Sequence, residues 1–133
     1  MSNARLAQTA DLASLLDLFR VSDVSAGRII FISGQTALDG EGNVVGKNDF
    51  ITQAEQVFCN LAVALHGCGC TAANLVKLTV FLTDMDNLAG YREARNRFFA
   101  SVTPPAAPAV TLVAVSKLYG PDFMIEIEAI AAV

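Results

Sequence analysis

The run that decides the fold lies near the end of the chain and reads Phe123-Met124-Ile125-Glu126-Ile127-Glu128-Ala129-Ile130-Ala131. Side chains two residues apart in a β-strand point to the same face, so Glu126 and Glu128 project side by side, roughly 7 Å apart for a rise of about 3.3 Å per residue. Their neighbours are apolar, and an acid held among such residues must be paired, hydrogen-bonded or protonated.

The two acids are therefore the leading candidates for chemistry. Glu128 lies deeper in the apolar run than Glu126, so we expect it to be the less solvated of the two. The alternative interpretation is that both acids line a solvated face of an edge strand.

The composition indicates one small domain that associates with copies of itself. A length of 133 residues suits a single domain over 1–133, within which residues 1–18 are not assigned to an element. Hydrophobic residues make up 53% of the chain and charged residues only 17%, so the chain has little polar material with which to cover its surface. This balance predicts oligomerisation through an apolar surface.

Charge and hydropathy exclude several classes of partner. The formal net charge is −4, whereas a broad nucleic-acid surface needs clustered Lys and Arg. No apolar stretch approaches the ~20 residues that a membrane helix needs. The beginning of the chain shows no signal peptide, which predicts a cytoplasmic protein.

The cysteines predict free thiols rather than a metal site or disulfides. There are three of them, Cys59, Cys68 and Cys70, and an odd count without a secretory signal fits a reducing compartment. His66 lies close to two of them, but the spacing matches no standard zinc pattern. We therefore expect no metal site at these residues.

Periodicity and turn residues predict an α+β fold. The predicted elements are strands over 19–24 and 28–33, a helix over 49–65, a strand over 75–82, a helix over 86–102, and strands over 109–115 and 123–133. The first helix carries an apolar stripe at helical spacing, formed by Ala54, Val57, Phe58, Leu61 and Leu65.

The first two strands form a predicted hairpin around Ala26-Gly27. The strand over 28–33 is apolar on both faces and is predicted to lie centrally in a mixed sheet of five to six strands. Two helices cover one face of this sheet, and because the other face is also apolar we expect a second copy of the chain to cover it. In the strand over 75–82, Lys77 and Thr79 share one face.

Several segments together resemble the Rid family (YjgF, reactive intermediate deaminase), in matching order and spacing from about residue 19 to the end. They are Phe31-Ile32-Ser33-Gly34-Gln35, the helix from Gln53 through Asn60-Leu61, Val76-Lys77-Leu78-Thr79-Val80-Phe81-Leu82-Thr83-Asp84, Pro108-Ala109 and Ile125-Glu126-Ile127-Glu128-Ala129-Ile130-Ala131. The resemblance implies a chorismate-mutase-like domain that assembles as a homotrimer with ligand clefts between subunits. It also implies hydrolysis of enamines and imines, such as 2-aminoacrylate, to keto acids and ammonia without a cofactor.

The resemblance assigns roles to some residues and leaves one role empty. Ser33 and Gly34 match the substrate-binding turn, and Glu128 matches the acid that activates water. The deaminating members read Pro-Ala-Arg where this chain has Val110, so the arginine that clamps the substrate carboxylate is missing. Three other pocket positions are matched by Leu112 in place of a cysteine, Arg20 in place of a tyrosine and Arg92 near an asparagine.

Two functions follow as hypotheses from this pattern. The first is a divergent deaminase for an atypical enamine or imine, in which Arg20 or Arg92 supplies the missing positive charge and Glu128 handles water. The alternative is a non-catalytic trimer that binds or senses a small carboxylate. RNA cleavage is disfavoured, because the chain has nine Lys and Arg in total and a single histidine.

Overall fold

A computed structural model of the chain describes residues 21–133; Arg20 and the unassigned segment 1–18 lie outside the described residues. The described part is an α+β fold with one sheet and two helices. In chain order the elements are β1 (Ile29–Gln35), α1 (Phe50–Gly67), β2 (Leu75–Leu82), α2 (Leu88–Phe99), β3 (Ala109–Ala114) and β4 (Ile125–Ala132).

The sheet is mixed, with the strand order β1-β4-β2-β3. β4 runs antiparallel to both of its neighbours, β1 and β2, whereas β2 and β3 are parallel. Parallel neighbours need a crossover connection, which α2 provides. The mixed sheet with two helices is as predicted, but the described residues form four strands rather than five to six.

The predicted hairpin is wrong for residues 21–24, which form no strand. Ser22 lies instead at the beginning of the parallel pair, where its hydroxyl donates to the Val76 carbonyl at 2.6 Å and accepts from the Ala109 N–H at 3.1 Å. The segment is therefore held by β2 and β3, not by β1.

Among the described residues β1 lies at the edge of the four-stranded sheet, rather than at the central position predicted for the strand over 28–33. Ile29 and Phe31 on its outer face are 58% and 76% exposed. The strand is apolar on both faces without being covered on both faces by the described residues.

The core lies between the helices and one face of the sheet. The predicted stripe of α1 is confirmed, since all five of its residues are buried there. α2 contributes Tyr91 and Ala94 to the same core, and the Phe58 and Phe98 rings stack with centroids 4.8 Å apart. Both helices therefore cover one face of the sheet and leave the other face open.

Gln53 fixes the beginning of β4 against α1. This buried side chain donates to the Asp122 carbonyl at 2.8 Å and accepts from the Met124 N–H at 2.8 Å. Buried amides are retained when their hydrogen bonds are made. The strand that carries Glu126 and Glu128 is thus held in a defined place relative to the helix.

Removing one buried hydroxyl is expected to stabilise the protein. Tyr91 is 1% exposed, and its hydroxyl has no hydrogen-bond partner among the described residues. An unsatisfied buried polar group costs about 1–3 kcal/mol. Tyr91→Phe should therefore raise the free energy of unfolding by about 1 kcal/mol in urea denaturation.

Tyr119→Phe is the matched control. The Tyr119 hydroxyl makes a 2.6 Å hydrogen bond with buried Thr36, so its removal should lower the free energy of unfolding by about 1 kcal/mol. A loss of stability in Tyr91→Phe as large as in the control would contradict the prediction.

Candidate functional site

A β-bulge in β1 faces Glu128. Ile32 lies opposite Ala129 and Gln35 lies opposite Ile127, so the two residues Ser33 and Gly34 together oppose the single residue Glu128. Such a bulge interrupts the backbone hydrogen bonding of the ladder and re-aims nearby side chains. The structure thus brings together the three residues that the sequence assigned to the turn and to the water-activating acid.

Glu126 lies over the glycine of this bulge. A Cβ atom placed on Gly34 would be 1.8 Å from Oε2, 2.7 Å from Cδ and 2.9 Å from Cγ of Glu126. Real Cβ atoms do not approach other atoms so closely, so the Glu126 side chain occupies the space that the missing side chain leaves. A side chain at position 34 would therefore displace the Glu126 carboxyl group, whereas the backbone conformation at this position does not call for glycine.

The relative burial of the two acids is the reverse of the prediction. Glu126 is half-buried, whereas Glu128 is exposed. The neighbours Ile125, Ile127 and Ala129 point to the helix face and pack into the core there, so depth in the run does not bury a side chain on the open face. The Gly34 contact shields Glu126 instead.

Neither acid is neutralised by a described residue. No hydrogen bond or ion pair joins Glu126 or Glu128 to any residue in 21–133. Partial burial raises the pKa of Glu126, and the neighbouring Glu128 carboxylate raises this pKa further. Burial disfavours the charged form of an acid, and a like charge has the same effect.

All charged residues of the four strands lie on the open face. They are Glu126, Glu128 and Lys77. Thr79 lies opposite Glu128 and therefore shares its face, and Lys77, two residues earlier in the same strand, points the same way. The Lys77 Nζ atom donates to Thr111 Oγ1 at 2.7 Å and has no carboxylate partner among the described residues. The sequence placed Lys77 and Thr79 on one face, but only the strand register shows that this is the face of the acids.

The structure does not bring the other predicted residues to Glu128 within one chain. Val110 pairs with Leu78 and Leu112 pairs with Val80, and both pack against the core on the opposite face of the sheet. Arg92 is exposed on α2. Arg20 lies outside the described residues.

Away from the sheet, a depression between the two helices contains a cation that is already paired with acids. A depression of 270 Å³ between the helices is lined by Glu55, Phe58, Cys59, Ala94, Arg97 and Phe98. Its cation, Arg97, is already bound to Glu55 at 2.7 Å and to Glu93. Within residues 21–133 no three His, Cys, Asp or Glu side chains cluster as metal ligands, and no helix is long and apolar enough to span a membrane.

Comparison with known proteins identifies the family. The sequence model of the family described as Endoribonuclease L-PSP, which includes the YjgF, Rid and RutC proteins, matches residues 20–133. The chain belongs to this family. The match spans every element of the fold, so the resemblance to the Rid proteins is confirmed.

Relatives and solved structures agree with this assignment. The mouse protein named 2-iminobutanoate/2-iminopropanoate deaminase is 33% identical over 108 residues, which cover 81% of this chain and 76% of the mouse protein. The Rid protein YyfB from Yersinia pestis superposes with a TM-score of 0.75 at 29% identity, covering 85% of each chain. E. coli TdcF, solved with bound serine, gives a TM-score of 0.73 at 30% identity, covering 83% of this chain and 84% of TdcF.

The contact between Gly34 and Glu126 can be measured as a coupling energy. Gly34→Ala should lower the free energy of unfolding by at most about 1 kcal/mol, because the added methyl group displaces the flexible Glu126 side chain and meets no backbone atom closely. The same substitution in a Glu126→Ala background should cost much less, because the colliding atoms are gone.

Urea denaturation of the four proteins in the cycle gives the coupling energy. Gly40→Ala is the control, since a Cβ atom at Gly40 would meet nothing within 4 Å. Equal effects of Gly34→Ala in both backgrounds would refute the contact.

Proposed function

We propose that the protein hydrolyses an enamine or imine of a small carboxylic acid to a carbonyl product and ammonia, with a substrate that differs from 2-aminoacrylate. The observation that carries this proposal is the bulge that sets Ser33 and Gly34 opposite Glu128. The mouse relative is named as an iminoacid deaminase and the TdcF structure holds serine, which supports a small amino-acid derivative as the ligand class.

Glu128 acts as the general base in this proposal. Its carboxylate is exposed on the open face and accepts no hydrogen bond from a described residue, so its oxygens are free to accept a proton from water. As that proton leaves, the water oxygen attacks the imine carbon. The Ser33–Gly34 bulge holds the substrate beside Glu128, because a bulge leaves backbone groups outside the ladder.

Lys77 is the proposed source of positive charge for the substrate carboxylate, a role that requires its ammonium group to turn from Thr111 towards Glu128. Val110 cannot form an ion pair, and it faces the core, so position 110 contributes no clamp on the open face. Lys77 is the cation that the strands place on the face of Glu128. A lysine is a point charge without the bidentate geometry of arginine, which fits a substrate that differs from those of the Pro-Ala-Arg members. Arg20 and Arg92 remain candidates from the wall that a partner subunit would add.

The assembly proposed is a homotrimer with its ligand clefts between subunits. Phe31 is 76% exposed and Val113 is 38% exposed on the open face, and uncovered apolar area of this kind marks an interaction surface. The three unpaired cysteines, two of them exposed, support a reducing compartment such as the cytoplasm.

Glu128→Gln is expected to lower the rate of imine hydrolysis by about 100-fold or more, because general-base catalysis contributes on the order of 10²–10⁴. Ammonia release from freshly generated 2-aminoacrylate and from longer imines measures the effect. Glu41→Gln, which changes an exposed loop acid, is the control and should keep the wild-type rate. Unchanged turnover in Glu128→Gln would exclude the proposed base.

A non-catalytic carboxylate-binding trimer is the second candidate, favoured by the missing arginine at Val110. It predicts saturable binding of a small carboxylate without turnover of any imine in the panel. Lys77→Met should weaken that binding, whereas Lys47→Met, which removes an exposed loop cation, should not. RNA cleavage gains no support from the open face, because the strands place two glutamates and one lysine there.

A further inference from the structure

We infer that Glu126 is the general acid of the same site: it delivers a proton to the departing nitrogen, while Glu128 accepts a proton from water. The inference rests on the proposed hydrolysis and adds a second catalytic group to it. Nothing in the family resemblance assigned a role to Glu126.

The position of Glu126 carries the argument. Its carboxyl group lies against Gly34, one of the two bulge residues that face Glu128. The two acids share one face of β4, and their Cα atoms are roughly 7 Å apart by the strand rise. A small substrate seated at the bulge would therefore lie within reach of both side chains.

The two acids have different surroundings. Glu126 is half-buried against the bulge and Glu128 is exposed. A pair of titratable groups whose environments push their pKa values apart is the arrangement that divides acid and base roles. The half-buried member is the one whose pKa is raised, which suits it to the role of the acid.

No described charge on the neighbouring strands stabilises an ionised Glu126. β1 and β3 contain no charged residue, and the cation of β2, Lys77, is directed to Thr111. The remaining charge on the face is Glu128 of the same strand, which repels a second negative charge. This electrostatic setting agrees with the raised pKa of Glu126 and favours its protonated form.

The proposed steps balance from a protonated imine. Water attacks the carbon while Glu128 takes one water proton, and the C=N electron pair moves to nitrogen to give a carbinolamine. Glu126 then protonates the amine. The C–N bond breaks as the hydroxyl oxygen forms the C=O bond and releases its proton to solvent. The proton held by Glu128 returns to Glu126 through water. The departing ammonia takes up the proton released to solvent, so the sum is iminium plus water giving carbonyl plus ammonium.

The pH dependence of kcat/KM tests the assignment. An acid that must be protonated makes the rate fall as pH rises through its pKa, and a base that must be ionised makes it fall as pH drops. Wild type should give a bell-shaped profile. Glu126→Gln should lose the alkaline limb and about 100-fold in rate near neutral pH. Glu128→Gln should lose the acidic limb, and Glu41→Gln should keep the whole bell.

The leaving group provides a readout that a purely structural role would not move. A weakly basic amine departs with less help from a proton donor. With imines of such amines, the rate loss caused by Glu126→Gln should therefore be smaller, whereas the rate loss caused by Glu128→Gln should stay the same. Gly34→Ala, which displaces the Glu126 carboxyl group, should show the same loss of the alkaline limb and serves if Glu126→Gln does not fold.

The outcomes separate the two proposals. A Glu126→Gln protein with the wild-type rate and profile overturns the general-acid assignment and leaves the hydrolase standing. A defect that is equal for all leaving groups also overturns it. Absence of imine hydrolysis by the wild-type protein overturns both.

Discussion

The mismatch of two residues against one between β1 and β4 is the constraint on which the site depends. If Ser33 and Gly34 each lay opposite a separate residue of β4, the residues after them in β1 would point to the opposite face of the sheet. The bulge absorbs the extra residue and leaves a gap in the ladder opposite Glu128. Glu126 folds into that gap because Gly34 presents no side chain there.

β4 is well suited to carry the two acids. It pairs antiparallel with a neighbour on each side, and Gln53 fixes its beginning to α1. Its helix face is buried and its open face is not, so the alternation of apolar and acidic residues separates a packed support from the surface that carries the acids. Groups held on regular elements keep their geometry better than groups on loops.

Strong periodicity made most of the fold predictable. The stripe of α1 and the apolar runs of β2 and β4 specify their elements locally, and both helices and four of the predicted strands are present. The hairpin prediction was wrong because turn residues at Gly27 carry no information about which strands the preceding segment contacts. Ser22 finds its partners at Val76 and Ala109, which no local pattern reveals.

The site was predictable only in part. Ser33, Gly34 and Glu128 could be named from their motifs, but which acid is sheltered depends on a contact across strands. β3 is apolar on both faces, so its pattern could not tell that Val110 faces the core. The environment of Lys77 likewise needed the register of β2 against β4.

The position of Ser22 has a consequence for the order of assembly of the chain. Its two hydrogen bonds reach across 54 and 87 residues, and contacts between such distant segments form late because a long loop must first be closed. The Val76 carbonyl and the Ala109 N–H lie side by side only once β3 has paired with β2. The segment around Ser22 must therefore wait until residue 109 has been synthesised before both of its hydrogen bonds can form.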